Sequence, residues 1–383
     1  MNNTYYDKIE DYIENCPNKR EINWFDLPET IYVLIELNKI ISIKKLIVEY
    51  GKNEKFNKKI KGIRTFIRGK ILELKFPINL NQIEYIKIYS LMISEGSYNT
   101  EFSLNVPEKE FHNIFKNSLK KIISQNILIR KDLNSDHERS RAPAIIRYLL
   151  PFPNHLSLIL FKNKKFAKEY LRIAFEAEGS PIYNLKKSKK YIKLSRNNSV
   201  ERYFKKHTLV EERKIFINEI KKEYPKQYKT ITRNPDDLIL GEHILLKYWF
   251  NIDSTLKLES IRLNKLGNRK GKISAKWVLY IYGGEDIKKF QNEIGFMSEN
   301  KKKKCENMLK NIPSRKKQYT ALGIMKEIQK NNLFLVKDFN NKMREMGYVS
   351  PQKFIWDYWK NKKIIKRIKR GKYKIISQTN SIS

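Results

Sequence analysis

"YSLMISEGS", Tyr89–Ser97, is apolar for most of its length and then ends on Glu-Gly-Ser. "YLRIAFEAEGS", Tyr170–Ser180, ends the same way. The chain holds only 14 glycines in 383 residues, so two apolar helices closing on one triplet form a pattern. A glycine just past a helix end takes the left-handed cap conformation at little cost. Gly96 and Gly179 therefore read as caps, which places Glu95 and Glu178 in last helical turns. The partial negative charge there disfavours a carboxylate by roughly 0.3–1 kcal/mol. Two such carboxylates brought together also repel each other. A divalent cation removes both penalties, and oxygen ligands with a water-rich shell suit Mg2+. Such a cation activates water and stabilises an in-line phosphoryl displacement. One Glu-Gly pair is ordinarily an exposed helix end, whereas two in matching contexts point to a site.

The charge agrees with a phosphate-bearing partner. Lys+Arg number 79 against 41 Asp+Glu, a formal +38. Such an excess favours polyanions, although a lysine-rich proteome would also fill surfaces with lysine. The hydrophobic fraction of 40% supports real cores, and the length predicts two or three domains. Cys16 and Cys305 are far apart, which is neither a disulfide framework nor a zinc spacing and fits a reducing setting. The five histidines show no metal-binding spacing. No signal core and no membrane-length apolar run are read, so an intracellular protein is expected.

Along the chain, residues 24–75 read as three short helices with a basic third, Lys58, Lys59, Lys61, Arg64 and Arg68. That suggests a helix-turn-helix module, with a plain basic bundle as the alternative. From Gln82 the order is helix, strand ("EFSLNVP"), amphipathic helix, then two strands ("ILIRKDLN" and "AIIRYLLP"). The second half repeats this order with insertions: the helix "KKFAKEYLRIAFEAE", the strand "KYIKLSRN", a long basic helix from Ser199 to about Tyr224, and a hairpin from "LKLESIRLNK" and "AKWVLYIYG". Matching halves mean two structural repeats. After Ser314, three helices and the basic hairpin "KKIIKRIKRGKYKII" with a Gly371 turn make a winged-helix pattern. The expected division is 1–80, a helical module; 81–312, a core with repeats at 81–165 and 166–312; and 313–383, a winged-helix-like module.

The two Glu-Gly-Ser motifs resemble those of the LAGLIDADG (dodecapeptide, DOD-type) homing endonuclease family. "WVLYIYGGEDIKKFQNEIGFMSENKKKKCENML", Trp277–Leu309, is similar to the close of that family's second repeat. The resemblance covers roughly Asn81–Ile312. It implies an α+β fold, a monomer whose two αββαββα repeats are related by pseudo-twofold symmetry, with both motif helices packed at the centre. It implies a site-specific endonuclease acting on double-stranded DNA, with Glu95 and Glu178 as catalytic metal ligands for Mg2+ or another divalent cation. A basic residue after "IGF" is implied at the cleavage centre, with Lys301 or Lys302 as candidates. Neither a small-molecule substrate nor a membrane is implied, and the location would be cytoplasmic, with the nucleoid.

The chain departs from the family pattern in three ways. Both metal positions are Glu where Asp is commoner, Ile173 stands where motif two usually has glycine, and repeat one is short between Asn134 and Pro153. A cleavage-deficient DNA-binding regulator on the same fold is the alternative. Strand alternation picks Ser103, Asn105, Lys193, Ser195, Arg262, Asn264 and Arg269 as major-groove readers. In the terminal hairpin, Lys366, Arg367, Lys369 and Arg370 would grip phosphates. No intein junction is read at either end, so a free-standing chain is expected.

Overall fold

The computed structural model describes residues 19–376 other than 21–23, 30, 36–39, 68–69, 76–77, 98–101, 124–129, 133–138, 144, 151–155, 185–188, 205–219, 223, 264–272, 311–324, 326, 330–332, 346–355, 357–358 and 361–364. The first module departs from the helical expectation. β1 (Lys19–Arg20) pairs with β6 (Ile78–Asn79). Between them β2 (Tyr32–Ile35), β3 (Ile40–Ser42), β4 (Ile60–Ile67) and β5 (Lys70–Lys75) form an antiparallel sheet of order β3-β2-β4-β5. One α-helix is described in this region, α1 (Ile43–Tyr50), capped by Ser42 Oγ, which accepts from Lys45 N. The reason lies in the period. Val33, Ile63, Leu72 and Leu74 are buried on one side, while Arg64 pairs with Glu73 across the strands at 2.7 Å. Alternation by two with β-branched residues selects a pleated strand over a helix. Of the basic residues that suggest a recognition helix, Lys61 and Arg64 belong to β4 and Lys58 and Lys59 to the 3-10 turn before it, and Arg68 lies outside the described residues.

The central region is built from two passes of similar composition. The first comprises α2 (Ile83–Glu95), β7 (Gly96–Ser97), β8 (Phe102–Asn105), α3 (Lys109–Ile123), β9 (Arg130–Asp132), β10 (Arg139–Ala142) and α4 (Ile146–Leu149). Short α5 (Ile159–Lys162) leads into the second. That pass comprises α6 (Lys164–Glu178), β11 (Gly179–Asn184), β12 (Lys189–Ser199), α7 (Pro225–Arg233), α8 (Asp237–Phe250), β13 (Thr255–Leu263), β14 (Ile273–Ile281), α9 (Gly284–Glu293) and α10 (Glu299–Lys310). The two antiparallel sheets run β7-β8-β10-β9 and β11-β12-β14-β13, one strand order used twice.

Two sequence expectations shift. The second strand of repeat one lies at Arg139–Ala142, and the apolar "IIRYLLP" that imitates a strand contains the helical turn α4. Ser199 ends a strand rather than opening a long helix, and a 3-10 turn follows at Glu201–Tyr203. Residues 205–219 of that stretch lie outside the described residues. The helix α8 is an addition that the sequence patterning does not mark. Its N-terminus is capped by Asp236, whose Oδ1 accepts from Leu238 N and Ile239 N.

The motif helices are central because apolar side chains surround them. In α2, Tyr85, Ile86, Ile88, Tyr89, Ser90, Leu91 and Met92 are all buried, as befits a helix packed on every side. Its crossing with α6 is tied by Ser90 Oγ, which donates to Tyr170 O at 2.9 Å. The Tyr89 and Tyr170 rings lie 5.7 Å apart beside it. A side-chain oxygen reaching a neighbouring helix's backbone needs a small residue at the contact. Ser90 supplies it, so Ile173, fully buried nearby in sequence, does not keep the helices apart. Ser90→Leu is expected to cost about 1–3 kcal/mol by overpacking, read as a lower urea midpoint. An unchanged midpoint would mean the crossing is looser than described.

A separate core forms near the C-terminus. β15 (Leu333–Leu335), β17 (Lys372–Ile375) and β16 (Ile365–Lys369) pair in that order, and α11 (Val336–Glu345) follows β15. Met325, Phe334, Phe339, Met343, Ile365 and Tyr373 pack together, joined by Trp356 and Trp359. Gly371, at φ 74°, makes the tight turn between β16 and β17.

Candidate functional site

Both motif helices run directly into strands. Gly96 has φ −88° and ψ 159°, and Gly179 has φ −97° and ψ 160°. These are extended conformations, so the expected left-handed caps are absent at both positions. The glycines answer a different need. A Cβ on Gly96 would stand 2.5 Å from Met92 Cα, and one on Gly179 would stand 2.5 Å from Phe175 O. Each glycine N–H still donates to the carbonyl four residues back, Met92 O and Phe175 O. The chain thus closes the helix and starts the strand in one residue, pressed on the last turn.

Glu95 and Glu178, both partly exposed, are the terminal residues of these helices. Burial pushes the Glu95 carboxyl up to about 7, helped by the neighbouring charges of Glu178 and Glu108 and opposed by Arg196 and Lys301. Two carboxylates from separate helices therefore share one electrostatic environment. Because the raised value applies only to the folded chain, ionising Glu95 costs folding stability. The cost is absent below pH ~4.5, grows as pH rises, and is complete above about 7. Glu95→Gln removes it. The variant is expected to match the native protein at pH 4 and exceed it at pH 8 by about 1–2 kcal/mol, allowing for solvent screening. Urea titrations at the two pH values check this, and a constant difference would contradict it.

The donor set suits a hard cation. Among the described residues no group of three or more His, Cys, Asp or Glu is gathered for a metal. Zinc-type coordination by protein ligands alone has no basis there. Two carboxylates are oxygen donors of the kind Mg2+ accepts, and a bound cation would relieve their repulsion.

Behind the pair sits a buried network that sequence reasoning missed. Arg196 lies on β12 with Ile192 and Leu194, all on the inward side. Its Nη2 donates to Glu242 Oε1 at 2.6 Å, and Nη1 and Nη2 reach Ser94 Oγ at 3.4 Å. Tyr170 OH donates to Glu242 Oε1 at 2.8 Å. Burial alone would lower the Arg196 pKa, but Glu242 and its neighbours more than offset this and raise it. The network joins α2, α6, α8 and β12, and reaches α2 at Ser94, the residue before Glu95. Its signal in the sequence is twofold. In "YIKLSRN" the arginine falls in register with two aliphatic residues, and in "LILGEHILL" one acid interrupts an apolar helix.

The lysine candidates separate. Lys301 Nζ donates to Glu176 O and lies 3.6 Å from Glu176 Oε1, close enough to act on Glu95. Lys302 pairs instead with exposed Glu299 at 2.7 Å. Lys302 is thus engaged within its own helix.

The strand positions also divide. Phe102 and Leu104 face the core, leaving Ser103 and Asn105 on the other side, but Ser103 is only 2% exposed. Asn105 is exposed. Directly across lie Arg141 and Arg139, two arginines that strand alternation did not select. On β12, Lys193 is partly exposed opposite Tyr280, whereas Ser195 is 8% exposed opposite buried Val278. Ser103 and Ser195 are therefore covered, short side chains beneath longer neighbours. Arg262 pairs with Ser274 in the strand register, but its side chain, with Asn264 and Arg269, lies outside the described residues. Lys366, Arg367, Lys369 and Arg370 are all exposed on the C-terminal hairpin. No helix of the described residues is long and apolar enough to cross a membrane.

No family model and no curated protein matches the chain. Solved structures do. The N-terminal LAGLIDADG domain of DUF199/WhiA matches at 14% identity, covering 59% of this chain and 88% of that one, with a TM-score of 0.30. Full-length DUF199/WhiA from Thermatoga maritima matches at 13% identity, covering 73% and 90%, with a TM-score of 0.33. I-DmoI in complex with DNA and Mn matches at 14% identity, covering 56% and 98%, with a TM-score of 0.30. At such identities and TM-scores these likenesses lend no weight to any function.

Proposed function

We propose that the chain is a site-specific, metal-dependent DNA endonuclease of the LAGLIDADG homing type. The observation that carries this reading is the crossing of two helices that each end on a carboxylate. Glu95 and Glu178 end two helices that cross at Ser90, and Glu178 acts electrostatically on Glu95. The shared strand order of the two sheets supports two αββαββα repeats with pseudo-twofold symmetry. A divalent cation held by Glu95 and Glu178 would activate water and stabilise the charge of an in-line displacement at phosphorus. The chain's own part is to hold the two carboxylates in place and to supply positive charge from Lys301. Outward strand residues, among them Asn105, Lys193, Arg139 and Arg141, would meet base edges. The exposed lysines and arginines of the C-terminal hairpin would engage the phosphate backbone as the wing of a winged-helix-like module. Repeats at 81–165 and 166–312, a monomer, and an intracellular, nucleoid-associated location belong to the same reading.

A second reading is a DNA-binding regulator that has lost cleavage. It is favoured by the exposed basic residues of the C-terminal hairpin, Lys366, Arg367, Lys369 and Arg370, which can hold DNA phosphates without any cleavage chemistry. Incubating the protein with fragmented genomic DNA of its source, with Mg2+ or with EDTA, and sequencing new ends separates the two. Discrete ends that require Mg2+ support the endonuclease. Tight binding without such ends supports the regulator.

A further inference from the structure

We propose that Glu176 is a positioning residue that clasps the helix carrying Lys301 and holds the Lys301 ammonium beside the carboxylate pair. This rests on the endonuclease reading for its catalytic meaning. Glu176 is 8% exposed, two residues before Glu178. Its Oε2 accepts from Met297 N at 2.6 Å and Ser298 N at 3.2 Å, the amides of the two residues that lead into α10. In return Lys301, in the first turn of α10, donates to the Glu176 carbonyl near the end of α6 and pairs with the Glu176 carboxylate at 3.6 Å. A carboxylate thus sits on the N-terminus of one helix and an ammonium on the C-terminus of the other. Both satisfy unpaired backbone groups and both complement the helix dipoles. The Lys301 stem also brings its ammonium 5.9 Å from the Phe296 ring centre.

The clasp has a directional consequence. Lys301 reaches the last turn of the helix that carries Glu178, where it donates to a carbonyl two residues before that carboxylate. The position matching Glu176 in the first motif helix is Ile93, an aliphatic side chain that cannot accept backbone hydrogen bonds. Among the described residues, the clasp is therefore seen at the second motif helix and has no side-chain equivalent at Ile93. Ordinary capping would need only the contacts to Met297 and Ser298. The added pairing with Lys301 links the cap to the site.

Glu176→Gln separates the two roles, because the amide oxygen can still accept from a backbone N–H while the charge on Lys301's partner is lost. At a mapped target, Glu176→Gln is expected to slow single-turnover cleavage by about 10–100-fold with DNA affinity unchanged. Lys301→Met is expected to slow it at least as much, and the double variant no more than Lys301→Met alone. Additive losses would show that Glu176 acts other than through Lys301 and would overturn the proposal. Reductive methylation read by mass spectrometry tests the clasp without DNA or metal. Lys301 should be modified several-fold faster in Glu176→Gln than in the native protein, with Glu176→Asp restoring protection. Equal labelling also overturns the proposal. If labelling shows the clasp but the native protein makes no Mg2+-dependent ends, the endonuclease reading has failed, and the catalytic role assigned to Lys301 fails with it.

Discussion

Glu178→Gln is expected to reduce Mg2+-dependent cleavage by roughly 10³-fold or more while DNA binding persists. A bound metal contributes several kilocalories per mole to stabilising a phosphoryl-transfer transition state. Glu178 and Glu95 are the two terminal carboxylates at the crossing, and each would provide about half of the protein's share of ligands. Exchanging one for an amide keeps the size and a single carbonyl donor but removes the charge that attracts the cation. DNA affinity should hold or rise, because on the endonuclease reading a negative charge is withdrawn from the surface that meets phosphates. The measurement pairs end mapping with a binding titration at fixed salt. Cleavage that survives the substitution would place the chemistry elsewhere. Loss of binding together with cleavage would point to a folding defect, which the urea midpoint would reveal.

Arg196→Met is expected to destabilise the fold by about 3–5 kcal/mol, lowering Tm by roughly 10 °C. The size of the effect follows from what remains. Glu242 is fully buried, and Arg196 is the cation paired with it at 2.6 Å. Removing Arg196 strands a carboxylate in the interior, where it must be desolvated without its counter-charge or take up a proton. Tyr170 OH would still donate to Glu242, which limits the loss without cancelling it. Arg196→Met combined with Glu242→Leu should recover most of the stability, since no charge is then left unpaired. A thermal melt of the two single variants and the double variant checks this. If the double variant is as unstable as Arg196→Met, the packing around the guanidinium rather than its charge carries the effect. Because the guanidinium also reaches Ser94, next to Glu95, the same series reports how firmly the helix end is held.

Some of this arrangement is legible in the amino-acid sequence. The apolar run before the first Glu-Gly-Ser identifies a helix buried on all sides, because only such burial tolerates so few polar residues, and the apolar stripe before the second marks a helix with one buried face. Alternation marks the strand at Phe102–Asn105 for a related reason, an inward face every second residue, whereas Ile273–Ile281 is buried almost throughout. The first module misleads because lysines and arginines spaced through "KKIKGIRTFIRGKILELK" suit an exposed helix and an exposed strand face equally well. The tie is broken by pairing with residues distant in sequence, such as Val33 opposite Ile63.

Glycine shows the same division. Local chemistry marks Gly96 and Gly179 as special, but the reason is a strand pressed on the preceding turn rather than a left-handed cap. Composition and periodicity, then, determined that the chain is strongly basic, that two apolar helices end on carboxylates, and where several strands run. These properties depend on neighbours a few residues apart. Only the tertiary structure decided that the helices cross at Ser90, that Arg196 lies buried against Glu242, and that Lys301 rather than Lys302 turns toward the site. Each of those depends on groups from distant segments sharing a low-dielectric interior, where the cost of an unpaired charge selects the partner.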